Sequence, residues 1–248
     1  GKAHLEGFGG YEGVIKGKSE LYEYLFKHHQ KVLVNENDTI QNDKTSGYFS
    51  KITFGTAESD YQFQPVLKDH FVGVNYQNAQ IFSNLTGQYN YDNISAAIAL
   101  GLYFNLNIET IKSAIEGYSP SNMRSQIQMK GDTTLVLDTY NANPSSMLVS
   151  LENFKSFEGT KTIIIGDMLE LGEDSHKEHQ SILDFAKSCE FDEVITVGPR
   201  FKSVYPSENA FENTSDLVER LKETPVHGNH ILLKASRGIA LEKIIDFL

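Results

Sequence analysis

The sequence predicts an α/β protein in two parts: a mixed sheet carrying antiparallel strands, then a mostly parallel sheet layered with helices. Three observations carry this. Four strand-like stretches follow one another between Tyr48 and Leu85 with only short polar breaks, the pattern of an antiparallel meander. After Tyr118-Ser119-Pro120-Ser121-Asn122 the chain alternates strand and helix at regular spacing, which implies right-handed crossovers and parallel strands. That proline-containing stretch lacks periodicity itself and reads as a linker. It divides the chain into residues 1–120 and 121–248.

In the first part, apolar residues at helical spacing (Tyr11, Val14, Ile15, Leu21, Tyr24, Leu25) predict a helix from Tyr11 to Phe26. Lys31 to Asn35 is a short buried strand running into a turn-rich stretch. The meander follows: Tyr48 to Phe54, Asp60 to Leu67, Phe71 to Tyr76 and Gln80 to Leu85. Alanine-rich Asp92 to Phe104 is a helix, and Asn107 caps another from Ile108 to Tyr118. In the second part a hairpin turns at Gly131-Asp132 between Gln126–Lys130 and Thr133–Leu137. Strands at Thr162–Ile165, Glu193–Val197 and His230–Leu233 alternate with helices at Ser145–Phe157, Ser175–Cys189, Ser215–Lys222 and Ile239–Phe247.

The 248 residues suffice for about two ordinary domains. Hydrophobic content of 40% against 22% charged places the chain among globular proteins rather than disordered ones. A net charge of −11 with scattered Lys and Arg argues against a nucleic-acid surface, which needs clustered cations. The single cysteine, Cys189, excludes an internal disulfide and fits a reducing, cytoplasmic setting. It falls on an apolar helix face and reads as a packed thiol. No apolar run approaches the roughly 20 residues of a membrane span. The chain begins at Gly1 without an initiator Met, beside a glycine-rich motif, so it reads as a piece of something longer.

The chemistry-bearing stretch with the most to say is Leu137-Asp138-Thr139-Tyr140-Asn141-Ala142-Asn143-Pro144-Ser145-Ser146. A buried strand ends in a carboxylate, a phenol and two amides before Pro144 opens a helix, where its missing N–H costs least. Open α/β sheets bind ligands at such carboxyl ends; an Asn-rich turn that only caps the helix is the alternative. Four further constellations stand out: Ala3-His4-Leu5-Glu6 with Lys18, Gly87-Gln88-Tyr89-Asn90-Tyr91-Asp92-Asn93, Ser121-Asn122-Met123-Arg124, and Lys234-Ala235-Ser236-Arg237-Gly238. Gly7-Phe8-Gly9-Gly10 lacks the Lys and Ser/Thr of a phosphate-binding P-loop.

Seven stretches, AHLEGFGG, KGKSELY, GQYNYDNISAA, SNMRSQ, LDTYNANPSSM, IIIGDMLELG and KASRGIALE, run in one order from the first residues to the last. In that order they resemble the Mur ligase family, and most closely its D-alanyl-D-alanine-adding branch. The resemblance implies the later part of a P-loop-type central domain followed by a Rossmann-like C-terminal domain, the N-terminal portion and the P-loop lying upstream. It implies ATP and Mg2+ as cofactors, and UDP-N-acetylmuramoyl-tripeptide and D-alanyl-D-alanine as substrates joined through an acyl phosphate. The fragment alone is then expected to be inactive. Another Mur-type or folylpolyglutamate-type ligase, or a non-catalytic binding module, are the competing readings.

By the same resemblance, His4 and a carbamylated Lys18 serve the metal, with Glu6 as a weaker contributor. A carbamate turns a cation into an oxygen ligand suited to a hard ion; an unmodified Lys18 would pair with Glu6 or Glu20. Asn90 and Asn93 match positions near the nucleotide base, helix capping being the plain alternative for Asn93, and Tyr89 stands where the family has a His. Arg124 and Asp138 match positions that hold phosphate and ribose when the two halves close. Tyr140 follows as a nucleotide contact, and Asn141 and Asn143 as dipeptide contacts. Ser236 and Arg237 sit where a carboxylate-binding helix start is expected, and Asp167 and Glu170 shape the site wall.

Overall fold

The computed structural model describes residues 5–55 and 58–248. The chain forms two compact units. One is Glu12–Ser119. The other is Pro120–Leu248 together with the described residues through Tyr11, which hold a single helical turn, α1 (Leu5–Phe8).

In the first unit, α2 (Tyr11–Lys27) buries Val14 and Ser19, and the Ser19 hydroxyl donates to the Ile15 carbonyl at 2.7 Å. β1 (Val32–Asn35) leads to α3 (Thr39–Lys44), a helix in the stretch read as turns. Asp38 caps it by accepting from the Ile40 and Gln41 amides, and six residues are too few to display helical periodicity. β2 (Lys51–Gly55) pairs in parallel with β1 and with β3 (Tyr61–Gln62). The single strand expected over Asp60–Leu67 is instead two. Phe63 is buried against Phe54 and Tyr76 between β3 and β4 (Gln64–Lys68), which belong to different sheets. β4, β5 (Phe71–Tyr76) and β6 (Ala79–Thr86) form an antiparallel meander of three strands; the strand expected over Tyr48 to Phe54 is not part of it but is β2 of the parallel sheet. α4 (Asn90–Tyr103) and α5 (Ile108–Gly117) close the unit, with Ile94, Ile98 and Ile111 packed on Val72, Val74 and Ile81. Asn107 caps α5, accepting from Thr110 N at 2.8 Å.

The second unit is a six-stranded sheet in the order β11-β10-β9-β12-β8-β7. Its elements run β7 (Gln126–Lys130), β8 (Thr133–Asp138), α6 (Pro144–Lys155), β9 (Lys161–Gly166), α7 (Ser175–Ser188), β10 (Glu193–Val197), α8 (Pro199–Val204), β11 (Ala210–Phe211), α9 (Thr214–Glu223) and β12 (His230–Lys234). Every pairing is parallel except the β7–β8 hairpin. Central strands read as continuous apolar runs because both faces are covered. Val136, Ile163, Ile165 and Leu232 meet Met147, Leu151, Phe154, Ile182, Leu183 and Phe201 from α6, α7 and α8. Leu135, Leu137, Ile164 and Leu233 meet Leu217 and Leu221 of α9, with Leu241 and Ile244, on the opposite face.

The final helix expected over Ile239–Phe247 is not α-helical. It is two 3-10 segments, Arg237–Ile239 and Leu241–Phe247, separated by Ala240 at φ +56°. A left-handed residue breaks the run of right-handed dihedrals an α-helix requires. Cys189 is buried, and desolvation pushes its thiol pKa up. No described helix is long and apolar enough to cross a membrane.

Candidate functional site

The covering of the two faces locates a crevice. The segments after β8 and β9 leave toward the face covered by α6, α7 and α8, and the segment after β12 leaves toward the face covered by α9. β12 lies between β8 and β9. Its carboxyl end is therefore a point where adjacent connections part to opposite sides, the place where open α/β sheets take ligands.

Two charged residues end the strands there. Asp138, the last of β8, stands opposite Lys234, the last of β12, and the Lys234 ammonium donates to Asp138 Oδ2. The Lys234 side chain is 1% exposed and that of Asp138 13%. A lysine so buried requires a partner, because an isolated ammonium out of water costs several kcal/mol or more.

Immediately downstream, Tyr140 carries Arg124 over its ring at 3.7 Å from the centroid and Arg237 at 5.5 Å. The Tyr140 amide donates to Met123 O at 3.3 Å, tying the linker end to this loop. Met123 and Ser125, the two neighbours of Arg124, both have positive φ, +58° and +47°. Such conformations cost on the order of 1 kcal/mol each in a non-glycine residue. Ser121–Met123, Thr139, Tyr140, Arg237 and Glu242 line a cavity of 290 Å³. The buried Thr139 hydroxyl has no hydrogen-bond partner among the described residues.

Ser236 knits this edge together. Its hydroxyl accepts from Leu169 N at 2.9 Å and donates to Ala142 O, while its own amide donates to Asp167 O. It makes no side-chain cap, and the 3-10 turn beginning at Arg237 replaces the expected carboxylate-binding helix start. Asn141 is exposed, its Oδ1 accepting from Ala142 N. Asn143 caps α6 in a reciprocal box with Ser146, so its amide oxygen serves the helix start.

The loop after β9 is held just as firmly. Asp167, 1% exposed, accepts from the Arg200 and Phe201 amides at the start of α8, each at 2.9 Å. His179 Nδ1–H donates to Ser175 O at 2.7 Å and Nε2 accepts from Met168 N at 3.0 Å, which defines a neutral imidazole. Burial pulls its pKa below the usual 6.5, a shift only partly opposed by the bond to Ser175 and by Asp167. The Arg200 guanidinium donates to Met168 O at 2.7 Å. Glu170, exposed at φ +64°, ends the loop.

In the unit Glu12–Ser119, Asn90 is buried and donates to Thr86 O at 2.7 Å, and Asn93 donates to Asn90 Oδ1 at 3.1 Å. The capping alternative for Asn93 does not hold: α4 begins earlier, at Asn90, and its cap position is Tyr89. Gly87, at φ +85°, has no room for a side chain, since a Cβ would fall 2.3 Å from the Tyr89 ring. Lys18 lies exposed on α2, and Glu6 exposed on α1. His4 lies outside the described residues. Among the described residues no cluster of three His, Cys, Asp or Glu could hold a metal ion.

Thus Arg124, Asp138, Tyr140, Ser236 and Arg237 share one sheet edge. From sequence, Lys234 is named within its motif without a role, and His179 and Arg200 are not named as site residues. The signal for Lys234 was available: a lysine closing the apolar run Ile231-Leu232-Leu233.

The fold falls in a known class. Residues 1–101 match the Mur ligase middle domain, and residues 123–243 match the domain described as Mur ligase, glutamate ligase domain. The chain belongs to the Mur ligase family. Among curated relatives it is similar to the UDP-N-acetylmuramoyl-tripeptide–D-alanyl-D-alanine ligase of Bacillus subtilis, at 30% identity over 270 residues, covering 100% of this chain and 57% of that protein. Its fold resembles that of MurF from Acinetobacter baumannii, with a TM-score of 0.80 and 24% identity over 99% of this chain and 57% of the other. It equally resembles MurF ligase from Thermotoga maritima in complex with ADP, with a TM-score of 0.79 and 20% identity over 100% of this chain and 59% of the other. The chain thus spans less than two thirds of the length of these proteins.

Proposed function

We propose that this chain forms part of a cytoplasmic, ATP-dependent amide ligase that adds D-alanyl-D-alanine to UDP-N-acetylmuramoyl-tripeptide in peptidoglycan synthesis. The observation that carries this is the Arg124–Tyr140–Arg237 stack beside the Asp138 carboxylate, on the parting edge of the sheet. Two guanidiniums offer planar forks for phosphate or carboxylate oxygens, and Asp138 offers an acceptor for ribose hydroxyls. The orphaned Thr139 hydroxyl at the cavity fits a ligand that supplies its missing partner. The names of the curated relatives support the choice of substrates.

When bound, ATP supplies the phosphoryl group that activates the tripeptide carboxylate. The chain's own part is to hold and orient. Arg124 and Arg237 neutralise oxygen charge, Asp138 fixes the sugar, and the Asn141–Asn143 loop lies where an incoming amine can be directed. Asn90 and Asn93 remain the proposed base contacts in the other unit. Magnesium would be held by His4 and a carbamylated Lys18, where it would neutralise phosphate charge; the described residues do not by themselves form a metal site.

The test mixes this chain with the portion of a relative that lies outside the match and follows ADP release. Turnover requiring both UDP-N-acetylmuramoyl-tripeptide and D-alanyl-D-alanine, and falling at least tenfold in Arg124→Ala, is the expected result. A demonstrably formed complex that releases no ADP in response to the two substrates refutes the reading.

A further inference from the structure

Lys234 has no role in the ligase reading above, yet it is among the most deeply buried side chains in the protein. We propose that Lys234 is a positioning residue that fixes the Asp138 carboxylate, with Oδ2 occupied and Oδ1 left to accept from a ribose hydroxyl. This rests on the nucleotide reading and deepens it.

The geometry supports the assignment in three ways. First, Asp138 and Lys234 are directly opposite on adjacent parallel strands, and β12 is clamped between β8 and β9, so the ammonium has little freedom to leave its partner. Second, the ammonium donates to Oδ2 alone, and Oδ1 carries no hydrogen bond among the described residues. Third, a buried ion pair is weak evidence of a stabilising role, since apolar replacements often match it. Here the pair sits not in mid-sheet but at the end of both strands, beside the Thr139–Tyr140 cavity wall. An unpaired Asp138 at the end of its strand would sample several rotamers. A paired one presents a single acceptor in one direction.

The experiment uses this chain in complex with the portion of a relative that lies outside the match, and two probes, ADP and 2′-deoxy-ADP, with affinities measured by isothermal titration. The wild-type chain is expected to bind ADP at least tenfold more tightly than 2′-deoxy-ADP. Lys234→Met and Asp138→Asn each abolish that preference, and the double variant is no worse than either single one. A purely structural role for Lys234 would lower both affinities alike and leave their ratio intact. That result, with Asp138→Asn abolishing the preference, overturns the positioning role while sparing the nucleotide site. Absence of ADP binding by the demonstrably formed wild-type complex overturns the nucleotide reading, and an Asp138→Asn variant that binds ADP and keeps the wild-type preference overturns the ribose contact of Asp138 and, with it, the positioning role of Lys234. Should Lys234→Met fail to fold, Lys234→Gln carries the same expectation, and the double variant, free of any unpaired buried charge, provides the folded reference.

Discussion

The two units solve the placement of polar residues differently. In Pro120–Leu248, one six-stranded sheet is covered on both faces, and the residues ending β8 and β12 are brought into contact by register alone. In Glu12–Ser119 the strands divide into two three-stranded sheets, and its candidate residues are distributed over elements rather than gathered on one edge. Lys18 lies on α2, and Asn90 and Asn93 lie on α4. A broad parallel sheet is a rigid platform whose strand ends form a line; small sheets with separate helices offer no such line. The first arrangement makes a site from strand termini, and the second makes one only from what its helices present.

This contrast can be broken at several points. The largest effect is expected from Phe154→Ala, which empties a fully buried position under α6 and costs about 3–5 kcal/mol. Hydrogen exchange should accelerate throughout β8, β9 and β12 while β5 and β6 keep their protection; equal loss in both units would show that they unfold as one. Gly198→Ala comes next. Its backbone sits at φ +124°, and a Cβ would meet the Asp167 carboxyl carbon at 2.3 Å. A loss of about 2 kcal/mol or more is expected from strain and from the disrupted start of α8, read by chemical denaturation.

Acid sharpens the comparison further. The folded pKa of His179 is depressed below 6.5 by burial, so between those two values the unfolded chain binds the proton that the folded chain refuses. The stability contributed by neutral His179 is therefore present above pH 6.5 and is lost as pH falls below it, by at most about 1.4 kcal/mol per pH unit. Denaturation followed at pH 7.5 and 5.5 should show this in β9 and α7, and His179→Gln should flatten it. The smallest effect belongs to the other unit. Asn107→Ala removes the α5 cap and costs about 1 kcal/mol, detected as faster exchange at the start of α5 with no change around Asp138.

Much of the architecture was legible because its signals are local. The Gly131-Asp132 turn, the apolar runs of β8 and β9, the Asn107 cap and the alternation after Pro120 each lie within a few neighbouring residues. Elements that departed from expectation depend on distant partners or on too few residues. α3 is one turn and a half, Phe63 divides a strand only because Phe54 and Tyr76 receive it, and Ala240 breaks a helix that its composition permits. In the site, the Asp138 loop announced itself by a carboxylate at the end of an apolar run. Ser236 stands where a carboxylate-binding helix start is expected and is instead bonded to two loops that lie 67 and 94 residues away in sequence.

What the sequence determines by itself is most of the longer strands and helices, the break in periodicity around Pro120, and the chemistry gathered at the strand ends, because periodicity, turn residues and caps act over a few residues. Tertiary structure decides which ends become neighbours. Placing β12 between β8 and β9 turns residues 138 and 234 into a buried ion pair at the carboxyl edge of the sheet. Strand order is set by burial of both sheet faces, a property of the whole sheet rather than of any segment.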